Sequence, residues 1–229
     1  MAKINKPKSS PSVDMTPMVD LAFLLVTFFM LSASFRTDEI VQVDTPSSIS
    51  DMIMPENVIL ITVDKGGRIF YGMSGNDTLK TVVLTSMANK YKVDLTNEQY
   101  SEFAKLTDFG CSMGEMPAYL NMGKEERKTF VDQGGTKGIP ADSSNNQLKD
   151  WIHFGNIASL AAGEAAYTKA KNAGANPQVN DFKQKFVLKV DGKAAYVYAK
   201  HVIDVFRDLN LNNLNFVTSL EQDPRQQTE

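Results

Sequence analysis

Between Thr16 and Phe35 the chain consists almost wholly of apolar side chains, and the run from Leu21 to Leu31 contains no charge. As a helix these twenty residues rise about 30 Å, the thickness of a bilayer's hydrocarbon core, so a transmembrane helix over residues 15–35 is expected. Lys3, Lys6 and Lys8 precede it against Asp14 alone, which favours a cytoplasmic N-terminus and a translocated C-terminal body. Ser32, Ala33 and Ser34 are also ingredients of a cleavable leader, but the long basic region and the continuation of the apolar stretch through Phe35 count against one. A surface helix of a water-soluble protein would carry a polar face, which this run lacks.

Asp20 interrupts that picture. On a helix Thr16, Asp20, Thr27 and Ser34 fall on one stripe, with Leu24 and Leu31 between them, while Phe23, Val26, Phe28, Phe29 and Met30 occupy the other faces. An ionised carboxylate facing lipid costs several kcal/mol, so Asp20 is expected to face protein or a hydrated cavity. No Lys or Arg lies within the span to neutralise it, and desolvation without a charged partner favours the protonated form. That is the chemistry of a proton relay, although a sodium ion fits the same position and a helix-capping carboxylate near the interface is the plainer alternative. A single span cannot shelter a carboxylate or build a conduction path, so neighbouring helices from partner subunits are implied. Pro17 suits a first helical turn and sets Asp20 about one turn in, near the cytoplasmic side.

The 229 residues carry a formal charge of −3, which gives no sign of a nucleic-acid surface. The lone Cys111 can form neither an intrachain disulfide nor a cysteine metal cluster and is expected as a small buried hydrophobe. His153 and His201 stand far apart, and no serine or cysteine sits in a local nucleophile signature, so no enzyme, cofactor or metal site is expected. His201 falls in a predicted helix and is assigned to packing or an interface.

Along the chain, residues 1–14 are expected to form a cytoplasmic tail, 36–56 a linker that supplies reach rather than chemistry, 57–221 a domain, and 222–229 a flexible tail. "NVILITVDKGGRIFYG" predicts a strand from Val58 to Val63, a turn over Asp64 to Gly67 and a second strand from Arg68. A helix capped by Asn76 or Asp77 follows, with Leu79, Val82, Val83 and Met87 inward. Thr96 and Gln99 stand in capping-box positions before a short helix that presents Tyr100, Phe103 and Ala104 and stops at Gly110. Residues 132–146 have loop composition, and "NIASLAAGEAAYTKAKNAG" predicts an alanine-rich helix ending at Gly174. A strand from Phe186 to Val190, a helix with Val197, Val202, Val205, Phe206 and Leu209 inward, and a strand from Leu214 to Leu220 complete a two-layer α+β fold.

"DMTPMVDLAFLLVTFFML", Asp14 to Leu31, resembles the membrane signature of the ExbD/TolR biopolymer transport family, and the strand-rich stretches at the two ends of the domain resemble that family's periplasmic fold. The resemblance implies an inner-membrane, single-pass motor subunit in which two copies sit inside a pentameric ring of an ExbB/TolQ-like multi-helix partner. It implies that Asp20 carries the proton, with Asp14, Thr16, Pro17 and Val19 completing the signature around it and Thr27 as a polar neighbour. It further implies that a self-dimerising periplasmic domain engages a TonB-like transducer energising outer-membrane transport, or serves a TolR-like role in envelope integrity. Protons are the coupling ion on this reading. A membrane-anchored periplasmic scaffold or peptidoglycan-binding protein is the other reading kept open. Compact relatives run more directly between the two ends, so residues of about 92–177 are expected to be an insertion.

Overall fold

The computed structural model describes residues 15–32, 40–41, 43, 47–48, 58–74, 77–142, 145–174, 178, 182, 184–217 and 219–220. The chain divides into two units, Met1–Thr37 and Asp38–Glu229. The expected cytoplasmic tail and the C-terminal tail from 222 lie outside the described residues.

The first unit holds one helix, α1 (Thr16–Ser32). Its 17 residues, within the expected span of 15–35, rise about 25 Å. Among the described residues, no helix is long and apolar enough to cross a membrane. Residues 33–35, including Ser34, lie outside the described residues.

The second unit runs β1 (Ser47–Ser48), β2 (Val58–Val63), β3 (Ile69–Met73), α2 (Asp77–Tyr91), α3 (Asn97–Lys105), β4 (Asp108–Phe109), α4 (Met116–Asn121) and α5 (Lys124–Asp132). It continues through β5 (Ala141–Asp142), β6 (Asn145–Asn146), α6 (Gln147–Asn172), β7 (Lys185–Val190), α7 (Tyr196–Asp208), β8 (Leu214–Val217) and β9 (Ser219–Leu220). The expected α+β class holds, with a mixed five-stranded sheet in the order β4-β3-β2-β7-β8. β2 is antiparallel to β3 and parallel to β7, with Ile61 opposite Tyr71 on one side and Leu188 on the other. This central position explains why nearly every residue of β2 is buried and why the strand reads as a continuous β-branched run rather than an alternating one.

The β2–β3 turn is built around Asp64. Its Oδ1 accepts from the backbone N–H of Gly66 (2.9 Å) and Arg68 (2.8 Å), while Oδ2 pairs with Arg68 Nε at 2.6 Å. Gly67 has a φ of +79°, a conformation that favours glycine, and a side chain there would strike the ring of Tyr198. Arg68 also donates to the carbonyl of Val131 at 2.7 Å, which ties the hairpin tip to the end of α5.

The stretch 92–177, expected as an insertion, joins the core directly. β4 pairs with β3, placing Tyr71 opposite Phe109, and α6 packs along α2. Tyr91 Oη donates to Asp150 at 2.6 Å and Lys90 pairs with the same carboxylate at 2.5 Å, fastening those two helices together. At the centre lies Trp151, fully buried, with ring centroids 4.8 Å from Phe109, 5.6 Å from Tyr71 and 5.9 Å from Phe103. On the same sheet face Phe186 meets Phe206 of α7 at 5.3 Å.

Several expectations need correcting. The capping box at Thr96 and Gln99 is present, but α3 ends at Lys105 with Leu106 already extended, and Gly110 follows β4 rather than stopping the helix. Spacing puts Val82 and Val197 on the apolar sides of their helices, yet they are 50% and 69% exposed; Leu84 and Ala88, and Ala199 on α7, take the buried positions. α6 begins at Gln147, ahead of the alanine-rich stretch, because its first half is the aromatic and aliphatic part that packs inward. The final strand is split: β8 completes the main sheet, whereas β9 pairs in parallel with β1.

Candidate functional site

α1 is the segment on which the sequence-predicted site residues converge. Thr16 opens the helix and Pro17 follows it, where the missing N–H interrupts no intrahelical bond; the next turn is closed by Val19 N–H donating to Met15 O at 3.1 Å. Asp20 is exposed, one turn from the start, and no basic residue occurs in the helix. Thr16, Asp20 and Thr27 share one helical stripe as expected. Asp14 and Ser34 lie outside the described residues.

The Thr27 hydroxyl is within reach of two carbonyls, those of Phe23 (2.9 Å) and Leu24 (3.0 Å), to which its O–H donates. Its donor is therefore used within the helix, and its remaining lone pairs leave it an acceptor toward an approaching water or ion. Asp20 and Thr27 are separated by about 10 Å of helical rise, too far for a direct hydrogen bond. Transfer along this stripe needs water or groups from another chain.

The rest of α1 is exposed apolar surface on every side. Met18, Leu21, Phe23, Leu24, Phe28, Met30 and Leu31 show between 63% and 89% of their area, and Val19, Leu25, Val26 and Phe29 are only slightly less open. A contiguous apolar surface of this kind marks a protein or lipid contact.

The second unit offers little chemistry by comparison. Burial pushes the Cys111 thiol well above its usual range, and its sulfur lies 3.8 Å from the Met116 sulfur, as suits a small hydrophobe rather than a reactive group. Burial likewise pushes the Tyr71 and Tyr119 hydroxyls up. Lys80 is held below its usual range by partial burial, where it donates to the carbonyls of Ala104 and Leu106. The small cavity beside it, lined by Tyr71, Phe103, Phe109 and Trp151 among others, measures about 10 Å³, room for one water at most. His201 Nε2 contacts the carbonyl of Ala141, joining α7 to β5, and the His153 ring lies beside Phe154. No group of three His, Cys, Asp or Glu that could hold a metal occurs among the described residues.

Two polar anchors escaped sequence reasoning. Arg127 is 5% exposed and donates to the carbonyls of Tyr119 and Leu120 while its guanidinium lies 5.8 Å from the Tyr119 ring. Asp108 is 3% exposed and accepts the backbone N–H of Ile40 at 3.0 Å. No local pattern marks either residue, since their partners are set by tertiary packing.

Residues 6–109 match the family model described as "ExbD: Biopolymer transport protein ExbD/TolR". No curated protein and no solved structure matches the chain.

Proposed function

We propose, from the match of residues 6–109 to the ExbD/TolR family model, that the chain is the proton-carrying subunit of an inner-membrane complex that energises biopolymer transport. Members of this family are transport-associated rather than enzymatic, and they work with ExbB/TolQ and TonB/TolA partners. In this reading α1 and its flanking residues are the single membrane segment, N-terminus in the cytoplasm, and Asp20 takes up and releases the proton. Thr27 contributes an acceptor on the same face, and the second unit acts in the periplasm as the dimerising and coupling module.

The observation that carries the proposal is the composition of α1's surface: apolar side chains exposed all round, one carboxylate, and no basic residue on the helix to neutralise it. Such a helix is stable only when lipid or other helices cover it, and the carboxylate is tolerated there only when it faces a polar or hydrated interior. The partner that fits is a ring of helices, as in ExbB/TolQ, rather than a second soluble domain. Proton flow past Asp20 would then rearrange the ring against α1, and the work would reach a TonB-like transducer.

The test pairs assembly with work. Asp20→Asn keeps the side chain's size and abolishes its titration, so the variant is expected to co-purify with its multi-helix partner while gradient-driven transport falls to background. Full transport by Asp20→Asn would reduce α1 to a tether and favour an anchored scaffold. Purification from membranes with no multi-helix companion would overturn the motor reading outright.

A further inference from the structure

Residues 36–56 read from sequence as a plain linker, yet part of that stretch is built into the second unit. Val41 is 8% exposed within the hydrophobic core, and Ile40 and Val43 pack against the same cluster. The N–H of Ile40 donates to Asp108 Oδ1 at 3.0 Å, across 68 positions of sequence. Asp108 is 3% exposed and stands on β4, where it lies opposite Gly72 of β3. A side chain at residue 72 would meet the Thr107 carbonyl at 2.9 Å and the Asp108 Cβ at 3.3 Å, so the glycine allows β4 to approach closely enough to place that carboxylate.

We propose that Ile40, Val41 and Val43 form a detachable strap, latched by Asp108, that sets the length of chain between α1 and the folded domain. Among the described residues the strap is held by aliphatic contacts and by the Ile40 hydrogen bond to Asp108 rather than by a place in the main sheet, and these oppose the entropy of ordering it. β2 and β7, by contrast, are paired along both edges at the centre of the sheet. Opening the strap therefore costs far less than opening the domain, which is the condition for local release without unfolding.

Release changes reach. Eight peptide steps separate Ser32 from Ile40, and fifteen separate Ser32 from Ser47, where β1 pairs with β9. At full extension these permit at most about 28 Å and about 52 Å. If α1 is held in the membrane, a docked strap confines the domain to the shorter radius and an open one lets it travel. That consequence rests on the energising reading given above; the latch itself does not.

Hydrogen exchange on the full chain in detergent tests it. In the unaltered protein the amides of 40–43 are expected to exchange about tenfold or more slowly than an unstructured peptide. Val41→Asp, which leaves Asp108 in place, and Asp108→Ala, which removes the latch, are each expected to bring that segment to the unprotected rate while the β2 and β7 amides keep their protection. Unprotected amides at 40–43 in the unaltered protein would overturn the strap, as would persistence of their protection in both variants. If Asp108→Ala unfolds the domain, Val41→Asp decides alone, and loss of β2 and β7 protection together with the strap in that variant would show that the strap is not detachable. Asp20→Asn is expected to leave exchange at 40–43 unchanged, so a failed motor shows in transport and a failed latch in exchange.

Discussion

α1 and α7 are both helices rich in apolar side chains, and they dispose of them in opposite ways. On α7, Ala199, Val202, Val205 and Phe206 are buried against the chain's own core, while Lys200, Asp204 and Arg207 occupy the outward side. On α1 every side chain with a burial class is exposed, and the single charge, Asp20, stands among apolar neighbours. α7 owes its stability to a sheet that the same sequence supplies. Among the described residues α1 has no such cover, and in the proposed reading lipid and partner helices supply it, so that its polar residues answer to surroundings outside the fold.

The largest expected effect tests that contrast at Asp20. Replacement by Asn should leave complex assembly intact and abolish gradient-driven transport, whereas Asp204→Asn on α7, which loses only an exposed pair with Arg207 at 2.8 Å, should leave transport unchanged. Equal losses at the two positions, measured in reconstituted membranes, would erase the distinction between a helix that works through a partner and one that serves the fold.

Next in size is the core that α7 and α6 share with the sheet. Trp151→Ala removes a fully buried ring in contact with three aromatic neighbours and should cost about 3–5 kcal/mol in denaturant unfolding of the second unit. No comparable cost is expected from Phe29→Ala on α1 in the same assay, because that ring is 60% exposed. A similar loss from both would mean that the helix has a docking face on this chain.

A smaller effect depends on pH. Burial raises the Cys111 thiol above its unfolded value near 8.5, so the unfolded state loses a proton that the folded state retains. The folded form therefore binds more protons above that pH, and its stability should fall by about 1.4 kcal/mol per pH unit from this group alone once the unfolded thiol titrates. Comparing unfolding between pH 8 and 9.5 for the unaltered protein and Cys111→Ala isolates the slope; identical pH profiles would place the thiol in contact with water.

The sequence exposed those parts of the molecule whose patterns are local. β2 was legible because a central strand needs a continuous β-branched run, and the start of α3 because a capping box is a four-residue signal. The stripe of Thr16, Asp20 and Thr27 was legible because helical geometry alone aligns it. What escaped was set by distant partners. Phe109 and Trp151 are neighbours only after α6 has docked, and the burial of Val41 depends on β4 and its Asp108, 68 positions from Ile40. α4 and α5 are short elements of six and nine residues, too brief for a clear period in a stretch of mixed polarity.

The finest test lies within one turn of α2. Val82 and Val83 have the same side chain and were both assigned inward by spacing, yet Val82 is 50% exposed and Val83 is 2% exposed. Val83→Ser replaces a buried aliphatic group with a hydroxyl in the core and should cost about 2 kcal/mol, whereas Val82→Ser should stay within about 0.5 kcal/mol. Urea unfolding of the two single variants, with the double variant as a check on additivity, resolves the difference. Matching losses would mean that α2 is rotated toward the face that spacing suggested. A loss at Val82 confined to the partner-bound complex would instead give α2 what is proposed for α1, an apolar surface whose cover comes from another chain.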